Sequence, residues 1–135
     1  MNNSELIKLA VEARKMSYSP YSGFAVGAAL LCADGSVYKG CNIENSAFTP
    51  TNCAERTAFF KAVSEGKRDF VKIAVVGGIS DKSETENYCP PCGVCRQVMK
   101  EFCTNDFEII VAKSTEDYKK FLLADLLPYG FGGLK

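Results

Sequence analysis

The chain has 135 residues, 47% of them hydrophobic, and it carries 16 Lys and Arg against 16 Asp and Glu. That length predicts one domain over residues 1–135, with a core that hides roughly two-thirds of the unfolded surface. The hydrophobic fraction excludes a disordered chain, and the neutral charge balance excludes the basic surface that a nucleic-acid backbone or an anionic membrane requires.

Ser4 to Met16 has Leu6, Leu9, Ala10 and Ala13 at helical spacing, with Asn3 or Ser4 available as a cap. Ser17 to Gly23 is a turn-rich link around Pro20. Phe24 to Leu31 and Ser36 to Ile43 predict two strands, joined by the hairpin signal Asp34-Gly35. Glu44 to Asn52 reads as a loop. Cys53 to Glu65 predicts a helix stopped by Gly66. Phe70 to Val76 is an apolar, branched strand, followed by a polar loop from Ser80 to Pro91. Cys92 to Phe102 predicts a third helix, with Pro91 where helices begin. Phe107 to Ala112 predicts a strand. Tyr118 to Leu127 fits either a strand or a short helix, and the tail from Pro128 is glycine-rich. This order predicts a mixed sheet with helices on its faces. Phe24 to Cys32, the longest apolar stretch, is too short to cross a bilayer. Met1-Asn2-Asn3-Ser4-Glu5 has neither the basic nor the apolar part of a signal peptide. The expected location is the cytoplasm.

There are seven cysteines and no histidine. An odd count without a secretion signal points to metal binding or catalysis rather than a disulfide framework. Cys32, Cys41 and Cys103 lie in or beside apolar runs and read as buried thiols. Cys53-Ala54-Glu55 and Pro91-Cys92-Gly93-Val94-Cys95 carry the remaining chemistry, with Cys89 nearby. Three thiolates can hold zinc and leave a fourth position for water. Glu55 then stands near that water as a proton carrier. Helix N-termini at both segments, together with Arg56 and Arg96, could offset the negative charge of three thiolates. Taken singly, these pieces fit other readings. Cys92 and Cys95 could form a redox pair, and Cys89 could close a structural four-thiolate site.

The combination resembles the zinc-dependent cytidine deaminase family, in its small nucleoside-acting form. The ligand-x-Glu segment followed by Pro-Cys-x-x-Cys is the known deaminase signature. The resemblance runs through Pro20-Tyr21-Ser22-Gly23-Phe24-Ala25-Val26-Gly27-Ala28-Ala29-Leu30 and Gly40-Cys41-Asn42-Ile43-Glu44-Asn45. It continues in Cys53-Ala54-Glu55-Arg56-Thr57-Ala58 and Pro91-Cys92-Gly93-Val94-Cys95-Arg96-Gln97. Cys89, the doubled proline before Cys92, and Phe48-Thr49-Pro50-Thr51-Asn52 depart from the commonest wording.

The resemblance implies a three-layer α/β/α fold with a roughly five-stranded mixed sheet. It implies Cys53, Cys92 and Cys95 as ligands of one zinc per subunit. Glu55 would be the general acid and base that takes a proton from zinc-activated water, protonates the pyrimidine ring nitrogen and passes a proton to departing ammonia. Asn42 and Glu44 would recognise the ribose hydroxyls. Phe24 would pack on the pyrimidine or sugar, and small Ala54 would bring its backbone carbonyl to the base. The implied activity is hydrolysis of cytidine and deoxycytidine in pyrimidine salvage. The implied assembly is a homotetramer with shared active sites, to which Phe131 of the tail would contribute. No nucleic-acid or membrane partner is expected. A relative acting on nucleotides, on a cytosine-bearing antibiotic or on bases within nucleic acid is the alternative enzyme, the last disfavoured by the neutral charge balance, and a non-catalytic zinc module is the alternative outside catalysis.

Overall fold

A computed structural model describes all 135 residues. Helix α1 (Asn3–Arg14) is capped by Asn2, not by Asn3 or Ser4. The Asn2 side chain accepts from the Glu5 N–H at 2.8 Å, while the Asn2 N–H donates back to Glu5 at 3.2 Å. This reciprocal box satisfies two otherwise orphaned donors. Strands β1 (Phe24–Cys32) and β2 (Val37–Cys41) form the expected hairpin. Helix α2 (Ala54–Ser64) ends before Gly66, whose φ of 94° suits a residue without a Cβ. Strand β3 (Phe70–Ile79), helix α3 (Gly93–Phe102) and strand β4 (Glu108–Ala112) follow.

Two boundaries differ from the sequence reading. Strand β3 runs three residues past Val76, because Gly77, Gly78 and Ile79 pair with Val26, Ala25 and Phe24. Adjacent glycines look like a break until a partner strand supplies hydrogen bonds. The ambiguous stretch near the C-terminus contains both candidates in turn, strand β5 (Tyr118–Leu122) and the short helix α4 (Leu123–Leu126).

The five strands lie in the order β2-β1-β3-β4-β5. β1 is antiparallel to both β2 and β3, and β3 is parallel to β4. Strands β2, β3 and β4 therefore point the same way. The chain leaves β2 towards α2 and leaves β3 towards α3 at one end of the sheet, the end where β1 begins at Phe24. Helix N-termini at such strand ends make a crevice.

Side chains alternate between the two faces of the sheet, and both faces are covered. Leu30, Ile73, Val75, Ile109 and Val111 pack with Phe59 of α2 and Met99 of α3. Ala29, Ala74, Val76 and Ile110 pack with Leu6, Ile7 and Ala10 of α1. The result is the three-layer α/β/α arrangement. Cys32 and Cys103 are buried as expected, whereas Cys41 is only half-buried. No helix is long and apolar enough to cross a membrane.

Two features set the height of the helices over the site. Gly40 of β2 lets α2 come close: a Cβ there would stand 2.4 Å from the Ala54 carbonyl oxygen and 2.6 Å from the Ala58 nitrogen. On the other face, the buried Arg14 guanidinium ends α1. It donates to the carbonyls of Ala25 at 2.9 Å, Ile79 at 2.7 Å and Lys82 at 3.0 Å. That clamp joins the beginning of β1 to the end of β3 beside Phe24.

Candidate active site

The two helix starts bring three thiols together. Cys53 is the N-cap of α2, Cys92 is the N-cap of α3, and Cys95 lies one turn into α3. Neither capping cysteine uses its side chain to cap. The positive helix ends are left for other use, and the polar cap is forgone at a cost of about 1 kcal/mol per helix. The Cys53 and Cys92 sulfurs are 3.7 Å apart and those of Cys92 and Cys95 are 3.5 Å apart. All three lie within 4.8 Å of one another.

Tetrahedral thiolates around zinc at about 2.3 Å stand about 3.8 Å apart, so the donor set and its spacing fit zinc. Soft sulfur donors without histidine also select zinc over magnesium or calcium. Cys89 is not in this cluster. It packs instead on the backbone of β3 at Gly77. The cluster therefore has three protein ligands, not the four of a closed structural site.

Arg56 lies against the cluster, with Nη2 donating to the Cys53 sulfur at 3.3 Å. Its Nε is buried with no partner. Arg96, the other candidate, is turned away. Its Nε donates to the Pro91 carbonyl and its Nη1 to the Leu126 carbonyl, each at 2.7 Å. It thereby fastens the start of α3 to the end of α4. Among the thiols, the hydrogen bond from Cys95 and the nearby Arg56 guanidinium pull Cys53 down to about 5. The same bond and burial push Cys95 up.

A cleft of about 330 Å³ opens onto the cluster. Glu55, Ala54, Phe24, Asn42 and Glu44 all line it, together with Cys53 and Cys92. Glu55 is only 4% exposed. Burial pushes its carboxyl up to about 7, with the Cys53 charge adding to the effect. Phe24, 39% exposed, presents part of its ring. The Ala54 carbonyl faces Gly40 rather than open space. Its N–H, the first of the helix, has no partner within the helix. The polar backbone group that Ala54 can offer is therefore the N–H, not the expected carbonyl.

Strand β2 ends at Cys41 rather than Ile43, so Asn42 and Glu44 both lie just beyond it. Each is fixed by the chain itself. The Asn42 Oδ1 accepts from Ser17 Oγ at 2.5 Å and the Val26 N–H at 2.9 Å, while Nδ2 donates to the Phe24 carbonyl at 2.8 Å. Glu44 accepts from the N–H groups of Tyr21 and Ser22, at 2.9 and 3.1 Å, and from the Ser22 hydroxyl. These bonds, the Ser22 hydroxyl first, hold its carboxyl below the usual range. One Asn42 N–H and one Glu44 lone pair, on Oε2, remain for a ligand. Ser22 was visible in the Pro20–Phe24 segment, but its service to Glu44 depends on a fold-level contact. Val26, Thr51, Asn52, Cys89 and Pro90 also line the cleft. Phe131 does not line it. Its side chain is 85% exposed, and its carbonyl accepts from Gln97 Nε2 at 2.8 Å.

A family model for the cytidine and deoxycytidylate deaminase zinc-binding region matches residues 1–111. The chain is 50% identical over 131 residues to a cytidine deaminase of Halalkalibacterium halodurans, across 97% of this chain and 95% of that protein. It is also 50% identical to a cytidine deaminase of Sporosarcina psychrophila, across 97% of this chain and 92% of the relative. A crystal structure of cytidine deaminase from Burkholderia pseudomallei superposes with a TM-score of 0.88 at 44% identity, covering 97% of this chain and 100% of that one. By sequence, fold and the three-thiol cluster alike, the chain belongs to the zinc-dependent cytidine deaminase family.

Proposed function

We propose that this chain hydrolyses cytidine and deoxycytidine to uridine and deoxyuridine, releasing ammonia, in pyrimidine salvage. The observation that carries the reading is a buried carboxyl, Glu55, sharing one cleft with the three-thiol cluster. Zinc held by Cys53, Cys92 and Cys95, one per subunit, supplies Lewis acidity that makes water a nucleophile at neutral pH. Glu55 takes a proton from the attacking water and delivers one to the ring nitrogen. It then carries the second proton to the departing amine, so that water and cytidine give uridine and ammonia. Arg56 steadies the Cys53 thiolate through its hydrogen bond.

The remaining residues orient the nucleoside. Phe24 packs against the base, and the free Ala54 N–H donates to the ring carbonyl. Glu44 accepts from a ribose hydroxyl, and Asn42 donates its spare N–H. Residues 1–135 act as one deaminase domain in the cytoplasm. Exposed aromatic rings at Phe48, 93% accessible, and Phe131 support assembly into a homotetramer in which Phe131 reaches a neighbouring site. Phe131→Ala is expected to raise the KM for cytidine; an unaltered KM would remove Phe131 from the site.

The Glu44 carboxylate bears directly on substrate class, because it repels a sugar phosphate. The test is ultraviolet loss of cytidine, deoxycytidine and their 5′-monophosphates with the zinc-loaded protein. The two nucleosides are expected to turn over at least tenfold faster than the nucleotides. Equal rates would contradict a nucleoside enzyme.

A further inference from the structure

Cys89 is the one thiol of the cleft that the chemistry above does not use. We propose that its side chain is a specificity-determining wall that limits what the pyrimidine can carry at C5. The inference rests on the proposed cytidine reaction. In that reaction the nitrogen edge of the ring faces Glu55 and the Ala54 N–H. The opposite edge, C5 and C6, is then left to the remaining cleft walls, among them Val26, Cys89 and Pro90. Of these, Cys89 is the wall packed against β3 at Gly77. It belongs to the segment running into the ligand Cys92. C5 is the ring carbon bonded to the one that loses the amine.

The wall has no room to withdraw. Behind Cys89 lies Gly77 of β3, where even a Cβ would stand 2.7 Å from the Cys89 sulfur and 3.1 Å from the Phe24 ring. The segment is also fastened from outside. Tyr88 donates its hydroxyl to Asp117 at 2.5 Å, and its ring lies 4.6 Å from the ammonium groups of both Lys113 and Lys119. Thr85 donates to the Lys113 carbonyl at 2.7 Å. A loop tied to the β4–β5 hairpin in this way holds Cys89 in position. Burial pushes the thiol up to about 11, so the wall is neutral at physiological pH.

The test compares kcat/KM for 5-methylcytidine and cytidine in the wild type, Cys89→Ala and Cys89→Leu, with zinc content verified in each. Each variant is referred to its own cytidine value. The ratio is expected to rise at least tenfold in Cys89→Ala and to fall at least tenfold in Cys89→Leu, the scale of one methyl group in a shaped pocket. If the wild type acts on cytidine and both ratios stay within twofold of its own, the inference is overturned alone. If the zinc-loaded wild type leaves cytidine untouched, the proposed reaction fails, and the inference with it.

Discussion

Gly40→Ala probes how closely α2 must lie on the sheet for Glu55 to act. The new Cβ would meet the Ala54 carbonyl oxygen at 2.4 Å, the Ala58 nitrogen at 2.6 Å and the Ala58 Cα at 3.1 Å. All are backbone atoms, so no rotamer change relieves the overlap. To restore an ordinary contact of roughly 3.4 Å, the first turn of α2 must retreat by about 1 Å. That turn carries Cys53, Ala54 and Glu55, while Cys92 and Cys95 stay on α3. A displacement of about 1 Å in a reacting group costs about a hundredfold in rate. Overpacking of this kind costs about 1–3 kcal/mol, a fall in melting temperature on the order of 5–10 °C. The assay is ultraviolet loss of cytidine at 25 °C, with zinc content and thermal unfolding measured on the same sample. A folded, zinc-loaded Gly40→Ala protein whose kcat/KM lies within threefold of wild type would refute the close-approach argument.

Arg56→Ala removes the donor at 3.3 Å from the Cys53 sulfur. Zinc affinity should fall about 10–100-fold, read by competition with a chromogenic chelator. Cys92→Ser exchanges a ligand for a good N-cap. In the presence of chelator the variant should unfold about 0.5–2 kcal/mol later than wild type, while binding less zinc when metal is supplied. Denaturant midpoints and metal analysis check both halves. The Lys67 ammonium, followed by Ser36, holds the exposed Asp34 carboxyl far below its ordinary value of 3.8. A lowered folded-state value stabilises the protein above the ordinary carboxylate range; the effect shrinks below that range and is lost as pH falls through the folded-state value. Asp34→Asn should therefore unfold earlier than wild type at pH 7, and by a smaller margin at about pH 2. Paired urea melts at the two pH values decide it.

Much of the fold was legible because local signals agreed with it. The Leu6-Leu9-Ala10-Ala13 stripe, the Asp34-Gly35 turn and the Gly66 stop each named an element before any contact was known. The end of β3 was not legible, since Gly77 and Gly78 become strand only through pairing with β1. The zinc cluster could be read because both ligand segments are short and local. The substrate end could not, because its geometry is made by distant partners. Asn42 is oriented by Ser17, Phe24 and Val26. Glu44 is gripped by Tyr21 and Ser22. The Arg14 clamp across three segments has no sequence signature at all. One further signal was available. Both α2 and α3 begin on cysteines, where Ser, Thr, Asp or Asn would serve the helix better, and a local rule broken twice at one end of a sheet marks function.

The central claim is that Glu55 moves protons beside zinc held by three thiolates. Glu55→Gln keeps the shape and removes the carboxylate, so the decisive measurement is cytidine turnover with zinc counted in both proteins. The account predicts one zinc per chain in each, with kcat lowered by about 10²–10⁴ in the variant. Undiminished turnover by zinc-loaded Glu55→Gln would contradict it.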